Sequence, residues 1–186
     1  EAIADQFRCS FRLNNTNRLP HMTMHQFALP EGNLDDLTAV VSRVAAETDG
    51  MTIVMSGLSR FGKTGIFWDA DISDDLRNVH NRLVDGIYPL REGNIMRQHL
   101  PLLEDDSGLT KGQIQSLRKW GNPLARGTFW PHMTLTSCSK EEDVAKIISL
   151  TAPEATWVAR ALYVTEVGQY GTCPKILAKY PFKNAG

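Results

Sequence analysis

The sequence predicts an α+β protein with two similar halves, each with the order β-α-β-β, on either side of a central cleft. The main observation is that the word Pro-His-Met-Thr occurs twice, at residues 20–23 and 131–134. Each copy lies in an apolar segment with an extended pattern, over residues 19–29 and 129–138. After each copy the sequence predicts a helix, a strand, a turn and a second strand. This match indicates an internal duplication. A solenoid is not indicated, because two copies are too few for one.

The first half shows the pattern of a helix followed by a hairpin. Asn33 is placed to cap the helix, and Gly50 is placed to end it. The apolar residues of this helix recur on one face, at Leu34, Leu37, Val40, Val41 and Val44. Strands are predicted over residues 51–55 and 66–71, with a turn between them. These elements form the first lobe, over about residues 17–90.

The segment between the motif regions begins with another helix, which Ser73 is placed to cap. Its apolar positions are Leu76, Val79, Leu83 and Ile87. A loop over residues 91–108 and a short helix over residues 110–120 follow. The loop and the short helix form the linking region, about residues 91–125, and the helix after Ser73 belongs to the first lobe.

The second half repeats the order of the first. Ser139, with Glu142 three residues later, is a capping-box pattern for its helix. The apolar face of that helix consists of Val144, Ile147 and Ile148. Strands are predicted over residues 157–167 and 175–182, and the second lobe covers about residues 126–186.

Composition bounds the class of protein. A chain of 186 residues can bury a core, and we expect a single domain over residues 1–186. The net charge of −1 provides no global basic field to recruit nucleic acid. Cys9, Cys138 and Cys173 lack the spacing of a metal site and are typical of a reducing compartment, so a cytoplasmic protein is predicted. No apolar run could span a bilayer, so no membrane partner is expected, and the protein is expected to be a monomer.

The repeated motif places its polar side chains on one face. Residues i and i+2 of an extended segment share a face, so His21 and Thr23 point one way while Met22 points toward a core. His132 and Thr134 repeat this arrangement. Two imidazoles and two hydroxyls on paired strands would form a symmetric polar cleft.

Two facing histidines and two threonines suit displacement at phosphorus. Near neutral pH one imidazole can take a proton from the attacking hydroxyl or water, while the other protonates the leaving oxygen. The threonine hydroxyls can donate to the non-bridging phosphate oxygens as charge develops. This scheme needs no metal and no cofactor.

The two motifs resemble the signature of the 2H phosphoesterase superfamily, which is His-x-Thr-x in an apolar strand of each half. That superfamily includes 2′-5′ RNA ligases, cyclic nucleotide phosphodiesterases and 2′-5′ oligoadenylate phosphodiesterases. The resemblance extends to Phe129-Trp130-Pro131 before the second motif and to residues 169–182, which look like the last hairpin of the family. Residues 108–136 are also similar to a bacterial branch found with phosphonate-breakdown genes.

The resemblance implies an enzyme. It also implies a bilobal α+β fold with pseudo-twofold symmetry, in which the antiparallel sheets of the two lobes flank a central cleft. By motif, His21, Thr23, His132 and Thr134 are the implied catalytic residues. The implied reaction is metal-independent opening of a 2′,3′-cyclic phosphate, or cleavage of a 2′-5′ phosphodiester, in a nucleotide or short RNA. Similarity to the phosphonate branch makes a sugar cyclic phosphate the alternative substrate.

Three further residues are candidates for substrate binding. Arg126 precedes the second motif, and Tyr170 lies in the last predicted turn. His25 shares the strand face of His21 and is expected at the rim of the cleft. Each of the three has a structural role as its alternative. His80 lies in a polar helical stretch and is expected to be solvated.

A rival motif occupies residues 57–64, which fit G-x-x-x-x-G-K-[ST], the P-loop pattern. A P-loop needs a helix that begins at its Lys-Thr, so that the helix N-terminus faces the phosphates. Here the β-type run Ile66-Phe67-Trp68 follows, and the next helix start is Ser73. The sequence therefore favours a hairpin turn over a nucleotide-binding kinase or NTPase. A strand after Thr64 would exclude the P-loop.

Two other classes use the same residues. Two histidines from different strands could bind zinc, but no third ligand is evident and threonine is a poor zinc ligand. A non-catalytic RNA-binding module would need a basic, aromatic face. Its candidates would be Arg18, Lys63, Arg126, Lys175, Trp68, Trp130 and Tyr170. An aromatic content of 8% and a balanced charge do not single these residues out.

Overall fold

The computed structural model describes residues 6–104 and 107–184. Its helices are α1 (Leu34–Ala46), α2 (Asp74–Ile87), α3 (Lys111–Trp120) and α4 (Glu141–Ile148). Its strands are β1 (Met51–Phe61), β2 (Gly65–Ala70), β3 (His132–Ser137), β4 (Ala155–Ala159), β5 (Ala161–Thr165) and β6 (Ile176–Pro181). Short 3-10 turns span Arg97–Leu103, Arg126–Thr128 and Gln169–Gly171. This order of elements confirms the predicted α+β class.

Two antiparallel sheets carry the fold. The first has the strand order β3-β2-β1-β4, and the second is the hairpin β5-β6. The single strand predicted over residues 157–167 is wrong, because the chain leaves the first sheet after Ala159 and enters the second at Ala161. Small alanine side chains on both sides of this crossing fit either face, so the sequence pattern does not show it.

The two motif segments differ in regularity. The second motif begins β3, which pairs with β2 along its length. The sequence predicts a comparable strand for the first motif, but residues 19–29 are extended with one isolated β-bridge, from Met22 to Met133. Pro20 has no N–H to offer a ladder, which weakens pairing on that side.

The helix of each half packs against strands of the other half. Helix α1 of the first half packs against β5 and β6, whereas α4 of the second half packs against β1 and β2. The larger apolar core unites α1, α2, β1 and β5, and Phe182 closes it. A smaller core forms around Ile66, Val144 and Ile147 under α4. Each hairpin is therefore covered by the helix of the other half, which holds the two halves together around the cleft.

The helix ends test the predicted caps. Ser73 caps α2 as predicted, because its hydroxyl accepts a hydrogen bond from the Leu76 N–H at 3.1 Å. Asn33 does not cap α1, since its side-chain amide instead donates to the Leu90 carbonyl at 2.7 Å. Ser139 does not cap α4 either, because that helix has no side-chain cap bond. Every helix within residues 6–104 and 107–184 is too short or too polar to span a lipid bilayer.

The P-loop pattern lies in a hairpin. Residues 57–61 belong to β1, residues 62–64 form the turn, and β2 begins at Gly65. A Cβ on Gly65 would lie 2.9 Å from the Phe61 carbonyl oxygen, so the tight turn explains this glycine. No helix begins at Lys63 or Thr64, and the P-loop alternative is therefore wrong.

A substitution in β1 tests how strongly the larger core stabilises the fold. The Met55 side chain has 0% exposure in the centre of that core. We expect Met55→Ala to lower the free energy of unfolding by about 2–5 kcal/mol, because a cavity remains. Urea denaturation followed by circular dichroism measures the change. The matched control is Val54→Ala at the next position, where the side chain is 37% exposed and a small effect is expected.

Candidate active site

The two motif copies lie antiparallel and touch at their methionines. Met22 and Met133, the third residues of the two Pro-His-Met-Thr copies, form the β-bridge. An approximate twofold axis of the duplication therefore passes between these two residues. Both methionine side chains pack against the larger core, as the alternation of the motif predicts.

The opposite face of this antiparallel pair carries the polar residues. In an antiparallel pair, directly opposite residues point to the same side. When the register at the methionines is continued by one residue, His21 lies opposite Thr134 and Thr23 lies opposite His132. The four side chains, which we call the His–Thr quartet, thus share one face. The structure brings together the four residues that the motif singled out.

Each imidazole of the quartet is held by the carbonyl two residues before it. His21 Nδ1 lies 2.7 Å from the Leu19 oxygen, and His132 Nδ1 lies 2.7 Å from the Trp130 oxygen. A carbonyl oxygen only accepts, so Nδ1 carries a proton in both rings. Because these carbonyls use Nδ1, Nε2 is the ring nitrogen of each histidine that can exchange a proton with a ligand.

Aromatic side chains of the first sheet hold the His132 ring. Phe67 stacks on it with 3.6 Å between ring centroids, and Trp130 meets it edge-on at 6.2 Å. The Trp130 indole N–H donates to Asp69 Oδ1 at 2.9 Å, and the Ser59 hydroxyl donates to the same oxygen at 2.7 Å. Strands β1 and β2 therefore fix the position of Trp130 as well as that of the imidazole.

The surroundings of His21 are polar. Its ring hydrogen-bonds with the Cys173 thiol and with the Gly171 carbonyl, in addition to the Leu19 carbonyl. The Cys173 sulfur also lies 3.3 Å from Thr165 Oγ1. The segment between β5 and β6 thus supplies the environment of the first histidine, much as β2 supplies that of the second.

These two environments shift the histidine pKa values in opposite directions. Burial lowers the pKa of His132 to about 4, and the nearby charge of His21 contributes. Burial alone would lower the pKa of His21 too, but its hydrogen bonds with Cys173, Leu19 and Gly171 raise the pKa above the usual 6.5. His132 is therefore neutral near pH 7, while His21 retains a proton more readily. This separation of pKa values is typical of a base and an acid at one site.

The quartet borders two adjoining cavities. A cavity of about 420 Å³ is lined by His132, Thr134 and Thr23, and one of about 1530 Å³ is lined by His21 and Thr23. Because Thr23 lines both, the two cavities adjoin at the quartet. Within residues 6–104 and 107–184, neither threonine hydroxyl has a hydrogen-bond partner. Both hydroxyls are therefore free to bind ligand oxygens.

The three predicted substrate-binding residues separate into two groups. His25 and Tyr170 line the smaller cavity, and Tyr170 stacks on Phe11 at 5.7 Å with a positive φ of 59°. Arg126 points elsewhere, since its guanidinium lies 3.2 Å from the Asp85 carboxylate and is not part of the lining of either cavity. The structure therefore brings His25 and Tyr170, but not Arg126, to the quartet.

The expectation that His80 is solvated is wrong. Its side chain has 0% exposure and stacks on Phe129 at 3.8 Å. Its Nδ1–H donates to the Met24 carbonyl at 2.6 Å, and its Nε2 accepts from the Arg126 N–H at 2.8 Å. With both nitrogens paired by distant backbone groups, a histidine in a polar helical stretch is buried without an unpaired atom.

Several residues at the site have no local signal in the sequence. Cys173 and Gly171 contact His21 only because the β5–β6 hairpin folds back on the first motif. His99, in the loop that separates the lobes in sequence, lines the smaller cavity. The aromatic run around Phe67 could have been noticed, since Phe67 pairs directly with Thr134.

The described part of the chain has no group of three or more histidine, cysteine, aspartate or glutamate side chains placed to hold a metal ion. The zinc alternative therefore lacks a third ligand within residues 6–104 and 107–184. The residues opposite the two histidines are threonines, which are poor zinc ligands.

A duplicated α+β fold with a His-x-Thr motif from each half beside one cleft defines the 2H class that the sequence resembles. The chain belongs to the 2′-5′ RNA ligase superfamily, whose family model matches residues 1–170. The match includes both motifs, so the resemblance read from the sequence is confirmed.

Two individual proteins are similar to this chain. One is a protein of Geobacillus thermodenitrificans (strain NG80-2) that is named as a candidate phosphoesterase. It is 27% identical to this chain over 100 residues. That alignment covers 52% of this chain and 58% of the relative, so it spans little more than half of the relative's length. The crystal structure of TT0787 of Thermus thermophilus has a TM-score of 0.53 and 16% identity, and the alignment covers 89% of this chain and 81% of that one. The second likeness concerns the fold alone.

Proposed function

We propose that this protein is a metal-independent phosphoesterase that opens a 2′,3′-cyclic phosphate, or cleaves a 2′-5′ phosphodiester, in a nucleotide or short RNA. The observation that carries the proposal is the His–Thr quartet, in which two histidines and two threonines share one face across a twofold axis. Membership of the 2′-5′ RNA ligase superfamily supports the same class of chemistry.

The geometry suggests how the quartet divides the reaction. Neutral His132 takes a proton from water through Nε2, and the oxygen of that water attacks phosphorus. As the bond between phosphorus and the sugar oxygen breaks, His21 donates its proton to that leaving oxygen. The product is a phosphomonoester with a free hydroxyl. The next turnover requires the proton to pass from His132 back to His21 through solvent.

The threonines act on charge rather than on protons. Thr23 and Thr134 lie on opposite sides of the twofold axis, on the same face as the imidazoles, and neither hydroxyl has a partner in the part of the chain that the structure describes. Donation to the non-bridging phosphate oxygens stabilises the negative charge that grows as the attacking water adds. Each threonine lies opposite the histidine of the other copy, so both copies hold the phosphoryl group.

The direct experiment is a substrate screen with purified protein. The set contains 2′,3′-cyclic nucleotides, 2′-5′ and 3′-5′ dinucleotides, and sugar cyclic phosphates as the alternative substrate class. Chromatography of the products identifies which bond was cleaved. Turnover of a cyclic phosphate or a 2′-5′ linkage, but not of a 3′-5′ dinucleotide, supports the proposal. Absence of turnover across the set contradicts it.

Chelation tests the metal independence. Because imidazoles and hydroxyls supply the catalysis, we expect EDTA to leave the turnover rate unchanged within the error of the assay. The measurement compares initial rates with and without EDTA on the best substrate of the screen. Loss of activity that zinc or magnesium restores would instead favour metal-assisted hydrolysis.

A further inference from the structure

Buried nitrogens without partners line the smaller cavity. Both ring nitrogens of His25 and the Nδ1 atom of His99 are buried and have no hydrogen-bond partner within residues 6–104 and 107–184. Both residues line the cavity of about 420 Å³ together with Thr23 and Thr134. An unpaired buried nitrogen destabilises the fold unless something completes its hydrogen bonds. A ligand in this cavity would do so.

Comparison of the two halves shows that the unpaired imidazole occurs at this position in the first half only. His25 lies four residues after His21, and Thr136 lies four residues after His132. At the second position, the Thr136 hydroxyl donates to the Phe11 carbonyl at 2.8 Å, so the polar group is satisfied within the protein. The first copy has an imidazole with no such partner among the described residues. The two halves therefore differ chemically at this position, as they must if they bind different parts of an asymmetric substrate.

The His25 ring is held without using its nitrogens. It stacks on Phe27 at 5.1 Å and meets His80 edge-on at 6.3 Å. Burial lowers the pKa of His25 to about 3, and the nearby His80 and Arg91 contribute. The ring is thus neutral and offers one N–H donor and one acceptor nitrogen. A hydroxyl group, which also both donates and accepts, is complementary to it.

The rest of the lining also indicates a neutral group. His25 lines both cavities, but the smaller one is the cavity it shares with His99, and among the described residues that line that cavity there is no lysine, arginine, aspartate or glutamate. A second phosphate or a carboxylate would have no charged partner there. His25 follows Thr23 by two residues, which is about 6–7 Å along an extended chain. A group that His25 binds is therefore close to the phosphoryl group that Thr23 binds.

We propose that His25 and His99 form a subsite that binds a neutral hydroxyl of the sugar that carries the phosphate. The inference rests on the proposed function, because the quartet determines where the phosphoryl group lies. It adds His25 and His99 as residues that determine specificity. It also identifies the sugar as the part of the substrate that these residues recognise.

Matched substrates test the subsite. Methyl riboside 2,3-cyclic phosphate retains one sugar hydroxyl, its 5-deoxy analogue has none, and uridine 2′,3′-cyclic phosphate adds a base. We expect kcat/KM of the parent to favour the hydroxyl-bearing riboside over the deoxy analogue by about 10- to 100-fold. In His25→Phe this preference is expected to fall to within about threefold of unity. The proposal is overturned if the parent protein shows no preference for the hydroxyl-bearing riboside, or if His25→Phe keeps that preference. It is also overturned if the parent prefers the substrate with the nucleobase and His25→Phe abolishes that preference.

Stability gives a readout that a structural histidine would not produce. Phenylalanine fills the space beside Phe27 without leaving unpaired nitrogens, so His25→Phe is expected to raise Tm by about 2–4 °C. The matched control is Thr136→Val at the equivalent position, where a satisfied hydroxyl is removed. That variant is expected to lower Tm and to keep the hydroxyl preference. A fall in Tm for His25→Phe would show a structural role and overturn the subsite.

A binding measurement separates this inference from the proposed function. Protein with ¹⁵N-labelled histidines is titrated with methyl 3-deoxyriboside 2-phosphate, which has one sugar hydroxyl, at C5, and with its 5-deoxy analogue, which has none, and the ring resonances of His25 are followed by NMR. A shift with the first ligand but not the second supports the subsite, even if no cyclic phosphate is hydrolysed. Hydrolysis without such a selective shift supports the proposed function and overturns the subsite.

Discussion

His132→Ala is expected to lower kcat by about 10²–10⁴ on a confirmed substrate, because the variant has no base to take the proton of the attacking water. His21→Ala is expected to cause a loss of the same order on a substrate with a poor leaving group, since the leaving oxygen then departs unprotonated. Initial rates at saturating substrate measure both effects. Circular dichroism and Tm of each variant show whether the fold is retained.

The double variant and the threonines sharpen this prediction. His21→Ala with His132→Ala is expected to lose less than the product of the single losses, because both histidines act on one transition state. Thr23→Val and Thr134→Val are expected to cost less than either histidine variant, because each removes one hydrogen bond to phosphate and leaves both proton transfers in place. Near-parental rates in both single histidine variants would contradict the two-histidine mechanism and make the repeated motif structural.

The quartet could be predicted from sequence because its information is local. Alternation with a period of two decides which side chains share a face, and the same word in both halves decides that two copies meet. The same reasoning predicted Met22 in the core, where it packs. For the same reason Ile66, Phe67 and Trp68 after the glycine-rich turn predicted a strand rather than a P-loop helix, and β2 lies there.

What the sequence could not predict depends on contacts between distant segments. His80 is buried because the Met24 carbonyl and the Arg126 N–H meet its two nitrogens, and neither partner is close in sequence. The exchange of α1 and α4 between the hairpins follows from packing, which amphipathic patterns alone do not assign. The crossing between β4 and β5 is hidden by alanines on both sides.

The difference between the two histidines is also a tertiary property. The motif is identical in both copies, so sequence reasoning leaves the acid and the base unassigned. The environments differ because His132 is buried against Phe67, whereas His21 meets Cys173 from the β5–β6 segment. An internal duplication can thus keep the same four-residue motif while its surroundings give the two histidines different pKa values.

The pH dependence follows from these shifts. The productive form has His132 neutral and His21 protonated. The rate is expected to rise with pH through about 4, where His132 loses its proton, and to fall above 6.5, where His21 loses its own. We expect His132→Ala to lack the acidic limb and His21→Ala to lack the alkaline limb. Rates from about pH 3 to about pH 10 in buffers of constant ionic strength measure both limbs.

The bell shape alone does not assign the roles, because the opposite pair of protonation states varies with pH in the same way. The leaving group does assign them. A nitrophenolate departs without a proton, whereas an alkoxide needs one. On a 4-nitrophenyl phosphodiester, His21→Ala is therefore expected to retain activity within about tenfold of the parent, while His132→Ala still loses about 10²-fold or more. On the matched alkyl diester, both variants are expected to lose activity. If instead His132→Ala is the variant rescued by the nitrophenyl group, then His132 is the acid, and the division of labour drawn from the two environments is reversed.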